Sequence, residues 1–221
     1  TNAPLIVCEA DEYPASVIEK RPKFHFLFPH IAIITGIAWD HINVFPTFDF
    51  YLVQFKIFIE KIEKGGVLIY NETDTLLKKL IDDNLRNDIK YIPYGLPSFF
   101  IENGITSVMI GKEKTRLHVF GNHNLLNLQA AWHVCKELGL TDIEFANGIA
   151  GFTGASKRLE LLASTTQYNV YRDFAHAPSK VVARINAVKQ QYPERKLGEV
   201  HALNTLRRLT SEKRRVGKGG R

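Results

Sequence analysis

Apolar residues along this chain follow two alternating rhythms. Continuous apolar runs, the form of strands covered on both faces, occur at residues 4–10 ("PLIVCEA"), 30–38 ("HIAIITGIA") and 67–70 ("VLIY"). A further strand-like run is "IKYIPYG", residues 89–95. Between the second and third runs, Leu52, Phe55, Phe58, Ile59 and Ile62 recur at helical spacing, and Gly65 is placed to end that helix in a left-handed turn. "ETDTLLKKLIDDNL" predicts a second helix, capped by Thr73 or Asp74. Residues 98–120 read as β-rich, with turns at "ENG" and "GKEK". Helices are predicted over 124–138, stopped by Gly139, and over 143–150. Residues 158–176 ("RLELLASTTQYNVYRDFAH") predict a hairpin turning near Thr166 and Gln167. Pro178 opens a last helix through Gln191, and "KLGEVHAL" predicts one more strand. The alternation predicts an α/β fold: a mostly parallel sheet with flanking helices.

Composition narrows the class. The 221 residues are 45% hydrophobic and 24% charged, which fits a globular protein and excludes a chain too polar to build a core. No apolar run approaches the ~20 residues that span a bilayer, and no basic segment leads into an apolar one near residue 1, so neither a membrane partner nor a secretory leader is expected. Two cysteines, Cys8 and Cys135, fit a reducing cytoplasm better than a disulfide framework, and Cys8 is expected to be a buried small hydrophobe. The net charge of +6 belongs to the end of the chain. Eleven Lys or Arg against three Glu fall from Arg184 onward, whereas the first 183 residues carry 18 basic and 20 acidic groups. The last stretch, "LRRLTSEKRRVGKGGR", has no interleaved aromatics, so a solvated tail is expected rather than a nucleic-acid partner.

Candidate chemistry gathers where strands end, since ligands of open α/β sheets bind beyond the strands' carboxyl ends. The first run ends in Glu9, Asp11 and Glu12, and the second in Asp40 and His41. Crowded carboxylates repel unless something positive sits among them, and a hard divalent cation with oxygen ligands would serve. A carboxylate at a strand end is more commonly just solvated, so residue types alone leave both readings open.

Six stretches, in order, then resemble one family: "CEADEYPASVIEKRPKF", "ITGIAWDHINVFPTFDFYLVQF", "VFGNHNLLNLQAAW", "GIAGFTGASKRLELL", "VYRDFAHAPSKV" and "YPERKL". Together they resemble the Mur ligases of cell-wall synthesis, over about residues 8–197. "KRPKF", "RLEL" and "DFAH" look closest to the branch that joins UDP-N-acetylmuramate to L-alanyl-γ-D-glutamyl-meso-diaminopimelate. The branch that adds L-alanine is the alternative, as is an inactive relative that only binds nucleotide or muropeptide. The resemblance implies ATP-dependent amide formation through an acyl phosphate, with Mg2+, in the bacterial cytoplasm.

The resemblance also implies site roles. Glu9 and His41 would ligate magnesium, with His41 and His176 facing the reacting groups. Asn124 and Asn127 would hydrogen-bond adenine, with His123 packed beside the base. Arg158 would reach the ATP phosphates, and Asp173 the ribose hydroxyls. Lys56, fifteen residues after His41, matches a lysine that some members carry as a carbamate. Read without the resemblance, "NHN" is a helix cap, Arg158 and Asp173 are charges flanking a hairpin, and Lys56 is a surface helix lysine.

Departures from the family pattern shape the expected domains. No G-x-x-G-K-T/S phosphate loop precedes a helix here: neither "GKEK" nor "GKGG" qualifies. Ala177 stands where relatives often have a second histidine. The expectation is an internal fragment: residues 1–153 as a partial central ATP-binding domain lacking its phosphate loop, 154–205 as the start of a Rossmann-like C-terminal domain, and 206–221 as a basic disordered tail. Such a piece alone is expected to be inactive.

Overall fold

The computed structural model describes residues 3–39, 44–175 and 178–200. Thr1–Gln191 form one compact unit and Tyr192–Arg221 a second.

The first unit is built on a parallel sheet in the order β1 (Ile31–Ile34), β2 (Val67–Asn71), β3 (Lys90–Tyr94). β2 is the central strand and is buried at every position. Its side chains alternate between two cores, as the pleat requires. Leu68 and Tyr70 join Ile34, Phe55, Phe58, Ile59 and Ile62 under helix α1 (Phe48–Glu60) and helix α2 (Thr75–Asp82). Val67 and Ile69 join Tyr94 and Ala130 under helix α3 (Asn122–Glu137). Covering on both faces explains why this strand reads as an unbroken apolar run rather than an alternating one. Phe24, in a single 3₁₀ turn at Lys23–Phe26, closes the first core against Phe55 and Phe58, with ring centroids 5.5 and 5.0 Å away.

Local chemistry fixes the ends of these helices. The Asp74 carboxylate caps α2 by accepting from the N–H groups of Leu76 and Leu77. At the other end of α1, Arg86 Nη1 donates to the carbonyls of Ile59, Glu60 and Ile62 at 2.8, 3.1 and 2.8 Å, while its other nitrogens grip Asp88. A guanidinium is shaped for that task, because several last-turn carbonyls lack helical partners.

A second, antiparallel sheet follows, in the order β4 (Phe99–Glu102), β5 (Ile105–Ile110), β6 (Glu113–Leu117). It packs on α3 and on α4 (Asp142–Ala150) through Val108, Ile110, Leu117, Leu125, Leu128 and Phe145. α4 starts in a capping box: Glu144 N–H donates to Thr141 Oγ1, and the Glu144 carboxylate accepts from the Thr141 N–H at 2.8 Å. The hairpin β7 (Glu160–Ser164) and β8 (Asn169–Arg172) and then α5 (Pro178–Gln191) complete the unit. Among the described residues, no helix is long and apolar enough to cross a membrane.

Two predicted strands do not form. Residues 4–10 are irregular, with Leu5, Ile6 and Val7 exposed and Cys8 exposed rather than buried. Residues 196–200 are likewise irregular, with Val200 exposed, and 201–203 lie outside the described residues. An apolar run becomes a strand only where a neighbour takes its ladder hydrogen bonds. Among the described residues, no strand pairs with either segment.

Candidate functional site

Three irregular pieces meet one helix start. α3 begins at Gly121, whose φ of +85° suits glycine, and no side chain caps the first turn. The expectation that "NHN" caps this helix is therefore corrected: Asn124 instead donates from Nδ2 to the Phe120 carbonyl at 2.9 Å. A Cβ added at Gly121 would lie 2.6 Å from Ala187 Cβ and 3.0 Å from His123 Cε1, so α5 approaches α3 closely at this point.

His123 is half-buried beside Arg184, Asp173 and Arg158. Burial first, and then the Arg184 and Arg158 charges, push its imidazole down to about 4, while Asp173 opposes the shift. His123 is therefore neutral at pH 7, and its Nε2 is buried with no hydrogen-bond partner among the described residues. Asp173 accepts from the Leu159 N–H at 2.8 Å and the Ala175 N–H at 2.7 Å, and Arg184 Nε lies 3.4 Å from its Oδ2. Arg184 is itself largely buried, which lowers its affinity for a proton, and Asp173 counters that. Two non-glycine residues of the loop before β7, Lys157 and Leu159, hold φ of +57° and +48°. Such strain persists where surrounding contacts impose it. Here, Leu159 delivers its N–H to Asp173, and Lys157 delivers its N–H to Glu160 at 2.7 Å.

Arg158 and Asp173, from two other sequence motifs, thus act electrostatically on His123, with Asn124 on the same helix turn. Asn127 lies one turn further along α3 and is exposed. Arg158 is exposed. Lys56 is exposed on α1 and makes no ion pair among the described residues. His41 and His176 lie outside the described residues, as does Asp40. Glu9 is exposed in the irregular segment and belongs to no cluster of three metal-ligating side chains among the described residues. The crowding of acids that opened the question is relieved by a lysine: Lys23 Nζ sits 2.9 Å from Asp11. Among the described residues, no three His, Cys, Asp or Glu side chains gather as metal ligands would, so these residues do not fit a resident magnesium by themselves.

Sequence reasoning missed Arg184 and Asn71, and read Asp74 only as a helix cap. Arg184 carried no motif. Asn71 and Asp74 hold the segment leading to Asp40: Asn71 Nδ2 donates to the Thr35 carbonyl at 3.1 Å, and the Ile37 N–H donates to Asp74 at 2.9 Å. Two polar residues just past a buried strand were the available signal. A groove of about 810 Å3 between β6 and α4, lined in part by Arg116, His118 and Asn147, includes none of the predicted site residues.

Comparison with known proteins places the chain in a family. UDP-N-acetylmuramate–L-alanine ligase from Mycobacterium ulcerans is 28% identical over 201 residues, covering 83% of this chain and 40% of the relative. The enzyme of that name from Arthrobacter sp. is 30% identical over 208 residues, covering 90% and 42%. The chain therefore spans about two-fifths of the length of the curated relatives it matches. Among solved structures, MurF from Acinetobacter baumannii superposes with a TM-score of 0.64 at 17% identity, over 84% of this chain and 41% of that one. UDP-N-acetylmuramate:L-alanyl-gamma-D-glutamyl-meso-diaminopimelate ligase from Neisseria meningitides superposes with a TM-score of 0.56 at 18% identity, over 67% and 48%. These likenesses agree with the α/β fold of a parallel sheet flanked by helices. The family model described as the Mur ligase middle domain matches residues 2–135, more than half of the chain, and the chain belongs to the Mur ligase family.

Proposed function

We propose that this chain is the nucleotide-holding part of an ATP-dependent amide-bond-forming ligase of bacterial peptidoglycan synthesis, working in the cytoplasm. One observation supports the reading: beside an uncapped helix N-terminus, His123 lies within electrostatic reach of Arg158 and Asp173, which flank the β7–β8 hairpin and are distant from it in sequence. Neutral His123 offers a flat ring for a base, with Asn124 and Asn127 on its helix as amide partners for the base edge. Arg158 supplies a planar cation for phosphate oxygens. Asp173 supplies an acceptor for ribose hydroxyls. In the proposed reaction, a carboxylate of UDP-N-acetylmuramate takes the γ-phosphoryl group of ATP, releasing ADP. The amine then attacks the acyl phosphate, expels inorganic phosphate and loses a proton to form the amide. Glu9 is the described candidate for contacting magnesium. Its proposed companion, His41, lies outside the described residues, and no step here runs through the metal.

The domain division proposed is a partial central domain over residues 1–153, the start of a C-terminal domain over 154–205 and a basic tail over 206–221. Two amine substrates compete. The "KRPKF" and "DFAH" segments favour the L-alanyl-γ-D-glutamyl-meso-diaminopimelate tripeptide, whereas the names of the two curated relatives described above favour L-alanine. The test of the nucleotide reading is ATP titration of the chain by calorimetry. Arg158→Ala and Asp173→Asn should each weaken binding about tenfold or more, since each removes a hydrogen bond to a charged group. Affinity unchanged in both variants would refute the site. Phosphate release with UDP-N-acetylmuramate and either amine, assayed on the whole protein, then decides the substrate.

A further inference from the structure

A carboxylate has about four acceptor positions. On Asp173, Oδ1 takes the Ala175 N–H, Oδ2 takes the Leu159 N–H, and the Arg184 guanidinium lies against Oδ2 with Nε at 3.4 Å. The two side chains are each 17% exposed, so this contact is mostly shielded from water. Among the described residues, one acceptor position remains open, on Oδ1. A hydroxyl can fill that position by donating its hydrogen to the carboxylate oxygen. An anion cannot do so, having no hydrogen to give to Asp173.

We infer that Arg184 is a positioning residue of the nucleotide site, holding Asp173 so that it receives one ribose hydroxyl rather than both. The inference deepens the proposed nucleotide function and rests on it. Without the guanidinium, both carboxylate oxygens would be free to turn toward a vicinal diol. With it, Oδ2 is blocked on its open side, and the strained Lys157–Leu159 loop fixes the remaining geometry. Arg184 is separate in sequence from every residue that marked the family, and it comes from α5 rather than from the hairpin.

Deoxynucleotides test this directly. The chain is titrated with ATP, 2′-deoxy-ATP and 3′-deoxy-ATP. One deoxynucleotide should bind as ATP does, and the other roughly ten- to a hundredfold more weakly, the loss expected for one hydrogen bond to a charged acceptor. In Arg184→Met, Asp173 is released, and both deoxynucleotides should bind more weakly than ATP. Arg184→Gln replaces it should the methionine variant not fold. A purely structural Arg184 would weaken all three nucleotides alike and leave their ratios as in the original chain, which overturns the inference. Equal affinities for the two deoxynucleotides in the original chain also overturn it, while leaving the nucleotide reading intact. Absence of ATP binding by the original chain overturns the nucleotide reading and this inference with it.

Discussion

Acid should weaken this fold through His123, and by an amount the structure allows to be worked out. In the folded chain the imidazole titrates near 4, against 6.5 for a free side chain. Burial is the main cause, the Arg184 and Arg158 cations add to it, and Asp173 works the other way. Above pH 6.5 the ring is neutral in both states and contributes nothing. As pH falls through 6.5 the unfolded chain takes a proton that the folded chain refuses, so stability drops steadily until about pH 4, where both forms are charged. Each unit of difference is worth about 1.4 kcal/mol, giving an upper bound near 3 kcal/mol; allowing for partial exposure of the ring leaves about 2 kcal/mol. The assay is urea unfolding by circular dichroism at half-unit steps from pH 7.5 to 4, on the original chain and on His123→Asn. The original chain should lose about 2 kcal/mol more than the variant across that window, with the divergence starting near pH 6.5. Parallel profiles would show that His123 is not held neutral by its surroundings.

Two further outcomes follow from the helix ends. Arg86→Met should cost about 2 kcal/mol in urea unfolding, because two α1 carbonyls, the Ile62 carbonyl just past the helix and Asp88 lose a shared charged donor; Arg86→Lys should recover only part, lacking the planar fork, and full recovery would contradict the role of geometry. Thr141→Ala should cost about 1 kcal/mol and return the Glu144 carboxyl toward its ordinary range, since the Thr141 N–H and hydroxyl now hold it below; an unmoved Glu144 titration by NMR would contradict the capping box.

The legible parts of the fold were those in which a side chain's partners lie nearby or on a single periodic face. β2 reads from its unbroken apolar run because both of its faces are covered, and α2 from Asp74 because a cap is a local device. The Asn103–Gly104 turn could be placed from "ENG" because positive φ suits those residue types, here +52° and +72°. Residues 4–10 carry the same apolar signature as β2 yet stay irregular, since a strand also needs a neighbour that its own sequence does not specify. In the site, His123, Asn124, Arg158 and Asp173 were nameable because they sit in motifs. Arg184 was not, because its importance comes from what α5 lies against. Arg184, Ala187 and Gln191 share one helical face, spaced three and four apart, and that face is polar and small where an apolar stripe would have announced a contact.

That face also determines how α5 can respond to force. At its middle, Arg184 is tied to Asp173; nearly a turn further on, Ala187 abuts Gly121; at its last residue, Gln191 donates to the Gly104 carbonyl at 2.6 Å and accepts from Thr106 Oγ1 at 2.7 Å. A rod fastened at three points along its length cannot pivot about any one of them. Displacing α5 therefore means breaking all three attachments together, which makes it a brace between the start of α3 and the β4–β5 turn.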